Sequence, residues 1–292
     1  MNDLRTTSLP IEDRLEQLSD HAEKYEHIRR GLFALRYYLQ TVIRESLNAW
    51  KPSHFGATNY ATLLTRVETW RVDHQESLCL VTFNYDTLLD DAFRATLGLG
   101  DLTLDRYIAE PKHKLIKVHG SIDWLRLVSG LPTLHRRGLT GYADVASSVA
   151  NIQLVDDYRM TRLNEVLPQG HGGVPAIAVP TQRKKSFECP DDHLAALKAA
   201  IPEVSHLLII GWRGNEDHFL NLWREVKAAH ERDRVQPNLR KLLVVSSSDD
   251  SANEISERFA AQTTYSYVRR AGVGGGFTKF LQSNQLEQFL PS

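Results

Sequence analysis

The sequence is poor in cysteine: Cys79 and Cys189 are the only two in 292 residues. Two thiols cannot build a disulfide framework or a four-thiolate zinc site. Long apolar runs are missing as well; no stretch approaches the roughly 18–20 residues needed to span a bilayer. The amino terminus, MNDLRTTSLPIEDRLEQ, lacks the apolar centre of a secretory signal. An excess of either charge is also lacking, since 35 Lys and Arg face 36 Asp and Glu for a formal net charge of −1. That balance argues against nucleic acid or a membrane surface as partner. The longest basic cluster, Arg183-Lys184-Lys185, is too short for a binding tract and reads as a solvated loop. The Gly-x-Ser-x-Gly elbow of hydrolases is absent. A protein of a reducing compartment, most simply the cytoplasm, is expected.

What remains suffices for a sizeable core, with 42% hydrophobic residues. Residues 11–49 carry apolar positions at three- and four-residue steps, which predicts a helix with a break or close contact at Gly31. A second helix is expected over 60–72, with Asn59 as its cap. From residue 77 the pattern changes. The short continuous apolar run 78–83 predicts a strand buried on both faces, and strands are also expected at 114–120, 176–180, 206–212, 241–248 and 263–268. Helical spacing separates them over 86–97, 194–201, 219–229, 253–261 and 277–289. The fold expected is α/β: a Rossmann-like, doubly wound, mostly parallel sheet over 77–292. A helical segment, 1–76, would pack on it, and 125–175 reads as a helical or irregular insertion, with helix around 154–167.

Several strands end in the same manner. One runs into Thr82, Asn84 and Asp86; one into His119, Gly120, Ser121 and Asp123; one into Gly211, Asn215 and Asp217; one into Ser246, Ser247, Ser248 and Asp249. In a parallel sheet these carboxyl ends lie on one edge, where α/β proteins bind ligands. Each also has a local reading. Asn84, Asp86, Asp217 and the serines suit helix caps, and His119-Gly120 suits a turn. The glycines of GVGGG (272–276) suit either a phosphate cradle or a connector.

TFNYD (82–86), KVHGSID (117–123) and IIGWRGNED (209–217), in that order, resemble the sirtuin-like NAD-consuming domains of bacteria, in particular the NADases of anti-phage defence. The resemblance covers about 77–290. It implies a Rossmann-type fold that takes NAD, or a related adenine nucleotide, as substrate. Asn84 and His119 would form the catalytic pair, with Asp86 in support. Thr82, Tyr85, Gly120, Gly211, Asp217, Ser246 and Ser247 would line the nucleotide site, the serines toward the adenine ribose. Zinc is not expected, because the zinc-bearing deacylases of that family carry four cysteines. The residue types suit cleavage of the nicotinamide–ribose bond: an amide to hold ribose or water, and an imidazole able to take a proton near neutral pH.

The family's first strand ends in a Gly-Ala-Gly-type loop that cradles the diphosphate, and residues 1–76 contain neither. That strand is central in a Rossmann sheet, and a sheet buried on both faces cannot leave its position empty, so either the neighbours close up or the slot is filled by another segment or chain, in a homo-oligomer or with a partner chain. A shortened start is one explanation of the missing stretch. The alternative function is a degenerate, non-catalytic nucleotide-sensing or partner-binding module.

Overall fold

The structure, a computed structural model, describes residues 11–22, 24–54, 57–129, 152–161, 172–179, 187–232, 239–265 and 268–291. Helices α1 (Ile11–His21), α2 (Glu26–His54) and α3 (Asn59–His74) precede the first strand. The break in the predicted long helix falls between His21 and Glu26, not at Gly31, which lies inside α2 with open space around it. The cap of α3 is Thr58, whose hydroxyl accepts from the Ala61 N–H at 3.0 Å; the Asn59 side chain instead donates to Thr278.

Strand β1 (Leu78–Thr82) pairs in parallel with β2 (His113–Lys117), and α4 (Leu88–Thr96) connects them. A second parallel group contains β6 (His206–Ile210), β7 (Lys241–Val245) and β8 (Arg269–Val273), in that order. Its helices are α5 (Asp191–Ala200) before β6, α6 (Asp217–Arg232) between β6 and β7, and α7 (Asp249–Thr263) between β7 and β8. Two short helices, α8 (Gly276–Gln282) and α9 (Gln285–Phe289), end the chain where one helix was expected.

Helices cover both faces of this layer. On one face Cys79 and Val81 of β1, Ile209 of β6 and Leu242 and Val244 of β7 share a core with Leu197, Phe219, Trp223 and Phe259. On the other, Leu78, Leu208, Ile210, Leu243 and Val245 pack with Leu63 and Val67 of α3 and Phe280 and Phe289 of the last helices. This is a Rossmann-like α/β arrangement in which each parallel group is small.

The described residues of the insertion are sheet, not helix. Strands β3 (Gly120–Ser129), β4 (Gln153–Met160) and β5 (Gly172–Ile177) form an antiparallel sheet in the order β4-β3-β5. The predicted helix around 154–167 is corrected over 153–160, and 162–167 lies outside the described residues. Its spacing misled because β4 buries only Tyr158 and Met160, so it carries no alternating apolar face. The strand expected at 176–180 is β5, antiparallel rather than part of the parallel layer. The strand expected at 263–268 is β8, shifted to Arg269–Val273, because Thr264 adopts φ 60 and ends α7 by donating its N–H to the Ala260 carbonyl. The basic cluster at 183–185 lies outside the described residues.

Helix α2 is tied to the antiparallel sheet. Its Tyr37 hydroxyl donates to the Gly173 carbonyl at 3.1 Å, and its Gln40 amide donates to the Ile122 carbonyl at 2.8 Å. Arg36 pairs with the buried carboxylate of Glu188 at 2.9 Å, which Arg126 of β3 also reaches at 3.3 Å.

No backbone hydrogen bond joins β1 to β6 among the described residues. Among the described residues no strand lies between them, and the two strands have not closed up. Both line one cavity along their whole length. Both are only partly buried, whereas β7, with a strand on each side, is buried from Leu242 to Val245.

Candidate functional site

The site lies where β1, β2 and β6 end. The chain leaves β1 at Thr82, whose hydroxyl accepts from the Asn84 N–H at 3.1 Å. That bond turns the backbone and brings the Asn84 side chain to the surface, where its amide donates to the Tyr60 hydroxyl of α3 at 3.1 Å. Burial pushes the Tyr60 hydroxyl above the usual phenol range, and the nearby Asp86 charge adds to this.

From β2 the chain turns through Val118 and His119 into β3. The Val118 N–H donates to the Thr82 carbonyl at 3.2 Å, locking this turn to the end of β1. His119 is buried at 2% exposure, and its carbonyl accepts from the Ala178 N–H at 3.0 Å. Its ring lies edge-on to Phe83 at 5.0 Å and stacks on His218 at 5.5 Å. Gly120 has φ +83, and a Cβ there would lie 1.8 Å from the Ala176 carbonyl oxygen. Glycine is required here so that β3 can close against β5.

After β6 comes Gly211 at φ +67, whose N–H donates to the Val245 carbonyl at 3.0 Å. Trp212 follows, with its indole N–H donating to Glu216. Arg213, Gly214, Asn215, Glu216 and Asp217 then lead into α6.

Thr82, Asn84, His119, Gly211 and Asp217 all line one cavity of about 1530 Å³. Tyr85, Asp86, Gly120, Ser246 and Ser247 do not line it. Tyr85 donates to the Ala178 carbonyl at 2.8 Å, and Asp86 accepts from the Leu88 N–H at 2.9 Å, closing the turn into α4. The serine run starts α7: Ser248 accepts from the Ser251 N–H at 3.2 Å, and the Ser246 and Ser251 hydroxyls meet at 2.9 Å. The local capping reading therefore describes Asp86 and the serines.

GVGGG does not form a free anion cradle. Gly272 and Val273 belong to β8, and the three following N–H groups already have acceptors. Gly274 donates to the Asp249 carboxylate at 2.6 Å, Gly275 to the Ser247 carbonyl at 3.1 Å and Gly276 to the Ser246 carbonyl at 2.8 Å. A phosphate would have to displace a carboxylate of its own sign.

The sequence reading missed Tyr60, Phe83, Trp212 and Arg213, which share the cavity with Asn84. Aromatic residues directly after two strands that share a polar carboxyl edge were the available signal for Phe83 and Trp212; Tyr60, on a helix before the first strand, gave none. Among the described residues no cluster of three or more His, Cys, Asp and Glu side chains could hold a metal ion, and no helix is long and apolar enough to cross a membrane. No protein-family model, no curated protein and no solved structure matches the chain.

Proposed function

We propose that this chain is a sirtuin-like NAD glycohydrolase that cleaves NAD to nicotinamide and ADP-ribose, with NAD depletion in anti-phage defence as its setting. The observation that carries the reading is that Asn84 and His119, 35 positions apart on neighbouring strand ends, line the same cavity as Gly211. A polar amide and an imidazole then face one space beside aromatic walls. In the reaction the bond between ribose C1′ and the nicotinamide nitrogen breaks, and its electron pair leaves with the ring nitrogen. Positive charge builds on the ribose, and water adds to C1′. Asn84 would hold the ribose hydroxyls or the water, and His119 would take the water's proton. The resemblance gave Asp86 a supporting role; its contact with the Leu88 N–H makes that role positional.

The test is direct. The purified chain at high concentration with NAD should release nicotinamide above a blank. Asn84→Ala and His119→Ala, checked for native circular dichroism, should each lose about 100-fold or more. Absence of release, or undiminished release by both folded variants, would overturn the reading.

A second reading, a non-catalytic nucleotide-binding module, has its own supporting observation: the Gly274, Gly275 and Gly276 N–H groups are engaged within the chain. Heat of NAD binding in calorimetry without any product would favour it.

A further inference from the structure

We infer that Lys117 is a positioning residue for the pair formed by Asn84 and His119: its buried ammonium ties the turn that carries Asn84 to the strand end that carries His119. The kinetic consequence rests on the NAD glycohydrolase reading above; the tie itself does not.

Lys117 is the last residue of β2, and its register partner is Thr82, the last residue of β1. The two strands therefore end at the same level. One runs on to Asn84 and the other to His119, each two residues further. The Lys117 side chain is fully buried and reaches out of its own strand. Its ammonium donates to the Asp86 carbonyl in the turn after β1, and to the Asp90 carboxylate in the first turn of α4 at 2.7 Å. One cation thus joins the end of β2, the turn after β1 and the start of α4.

A lysine in a dry interior is unfavourable unless an opposite charge lies beside it and its N–H groups find acceptors. Asp90, itself buried, supplies the charge, and the Tyr107 hydroxyl donates to the other oxygen of that carboxylate. An ion pair serving stability alone would need nothing more. The bond to the Asp86 carbonyl is additional, and it goes where the backbone offers no donor. The α4 ladder begins one residue later, with the Asp91 N–H on the Thr87 carbonyl; among the described residues no backbone N–H reaches the Asp86 carbonyl. A main-chain carbonyl next to a buried helix start needs a partner, and here the partner comes from the strand of His119.

The neighbouring bonds show what this one governs. The Asn84 N–H is held back to the Thr82 hydroxyl at 3.1 Å, and the Asp86 carboxylate closes the turn on the Leu88 N–H at 2.9 Å. The Ile122 N–H donates to the Tyr85 carbonyl at 3.0 Å, three residues beyond His119. Lys117 grips the next carbonyl of the turn from two residues before His119. The turn is therefore held on both sides of the histidine, and the Lys117 grip is made by a side chain, so a substitution removes it without touching the main chain.

Position and stability are separated by measurements on the full chain. In the parent, amide exchange at Leu88 should follow the same denaturant-dependent opening as at Ile116 of β2. Lys117→Met with Asp90→Leu and Tyr107→Phe removes both buried charges and the hydroxyl bound to them. This triple variant should melt close to the parent, yet exchange its Leu88 amide at least about tenfold faster while Ile116 stays protected. Asp90→Asn keeps oxygen and nitrogen partners for Lys117 and Tyr107; it should lose stability but keep slow exchange at Leu88. With NAD, the triple variant should lose about 100-fold in kcat with KM within about threefold, as expected of a group displaced rather than deleted, and Asp90→Asn should keep kcat within about threefold. A folded triple variant with parental exchange at Leu88, or with parental kcat, overturns the inference. So does loss of Leu88 protection in Asp90→Asn, which would assign the effect to the ion pair, and so does a parent whose Leu88 amide opens independently of β2. If the triple variant does not fold, the parent and Asp90→Asn decide. A parent that releases no nicotinamide sinks the hydrolase reading alone, and the exchange comparison then decides on Lys117.

Discussion

Phe83 and Trp212 lie face to face with an interplanar angle of 0°, although each stands just past the end of a different strand and the strands do not pair. Phe219 meets both rings edge-on, at 5.2 and 5.6 Å. This aromatic group joins the two halves of the parallel layer above the cavity between them. Phe83→Ala should therefore cost about 2–4 kcal/mol, the scale of truncating a partly buried aromatic, and Phe83→Leu much less. Urea unfolding followed by circular dichroism measures both. Equal stability of Phe83→Ala and the parent would show that the halves are held together elsewhere.

Lys117 is fully buried beneath the site, with its ammonium 2.7 Å from Asp90 and bonded also to the Asp86 carbonyl, while the Tyr107 hydroxyl donates to Asp90. Removing one partner strands the other charge in a dry interior, so Lys117→Met should destabilise by about 3–5 kcal/mol. Lys117→Met with Asp90→Leu should recover much of that loss. A double-mutant cycle in urea provides the check; additive losses would mean that the pair is not the source.

Glu68 joins α3 to β2 by accepting from Arg71 at 2.7 and 2.8 Å and lying 2.7 Å from the His113 ring. The Arg71 hydrogen bonds hold its carboxyl down to about 2, with a smaller contribution from His113. A carboxyl depressed in the folded state stabilises above its unfolded value of about 4.3 and loses that contribution as pH falls toward 2. Melting temperatures should therefore drop more steeply for the parent than for Glu68→Gln between about pH 4.5 and 2. Parallel curves would refute the assignment.

Burial pushes the Cys79 thiol up to about 11 and the Cys189 thiol up to about 12. Both should hold little thiolate at pH 8 and react with iodoacetamide at least tenfold more slowly than free cysteine. Mass spectrometry of timed aliquots reads this; labelling of Cys189 as fast as free cysteine would contradict its burial, and for Cys79, which lines the cavity, it would contradict the raised thiol pKa.

Gly120→Ala would place a methyl group into the Ala176 carbonyl at a backbone angle that L residues rarely adopt. Expression mostly as insoluble protein, or a loss of more than about 3 kcal/mol, is expected. A stable, well-folded variant would mean that β3 and β5 can separate at this point.

The parallel strands were legible because β1, β6 and β7 are continuous apolar runs, which few other environments select. Strand β4 was not, since it buries only two side chains and exposes Asp156, and β8 begins with two arginines at an exposed edge. The meeting of Asn84, His119 and Gly211 in one cavity followed from strand direction alone. Tyr85, Asp86 and the serines do not line that cavity, because polar residues after a strand also close turns and cap helices, and here they bond to backbone or to one another.

Tyr60 sits on α3, the helix whose Leu63, Leu64 and Val67 wall the cavity, and its hydroxyl accepts from the Asn84 amide. This helix thus touches both the cavity beside β1 and β6 and the side chain proposed to hold a substrate. A ligand that draws Asn84 away from Tyr60 would break a polar tie between the end of β1 and α3. Whatever binds at Asn84 is therefore coupled to the seating of α3 against the parallel layer, and a change in that seating would change the affinity for the ligand by the same factor.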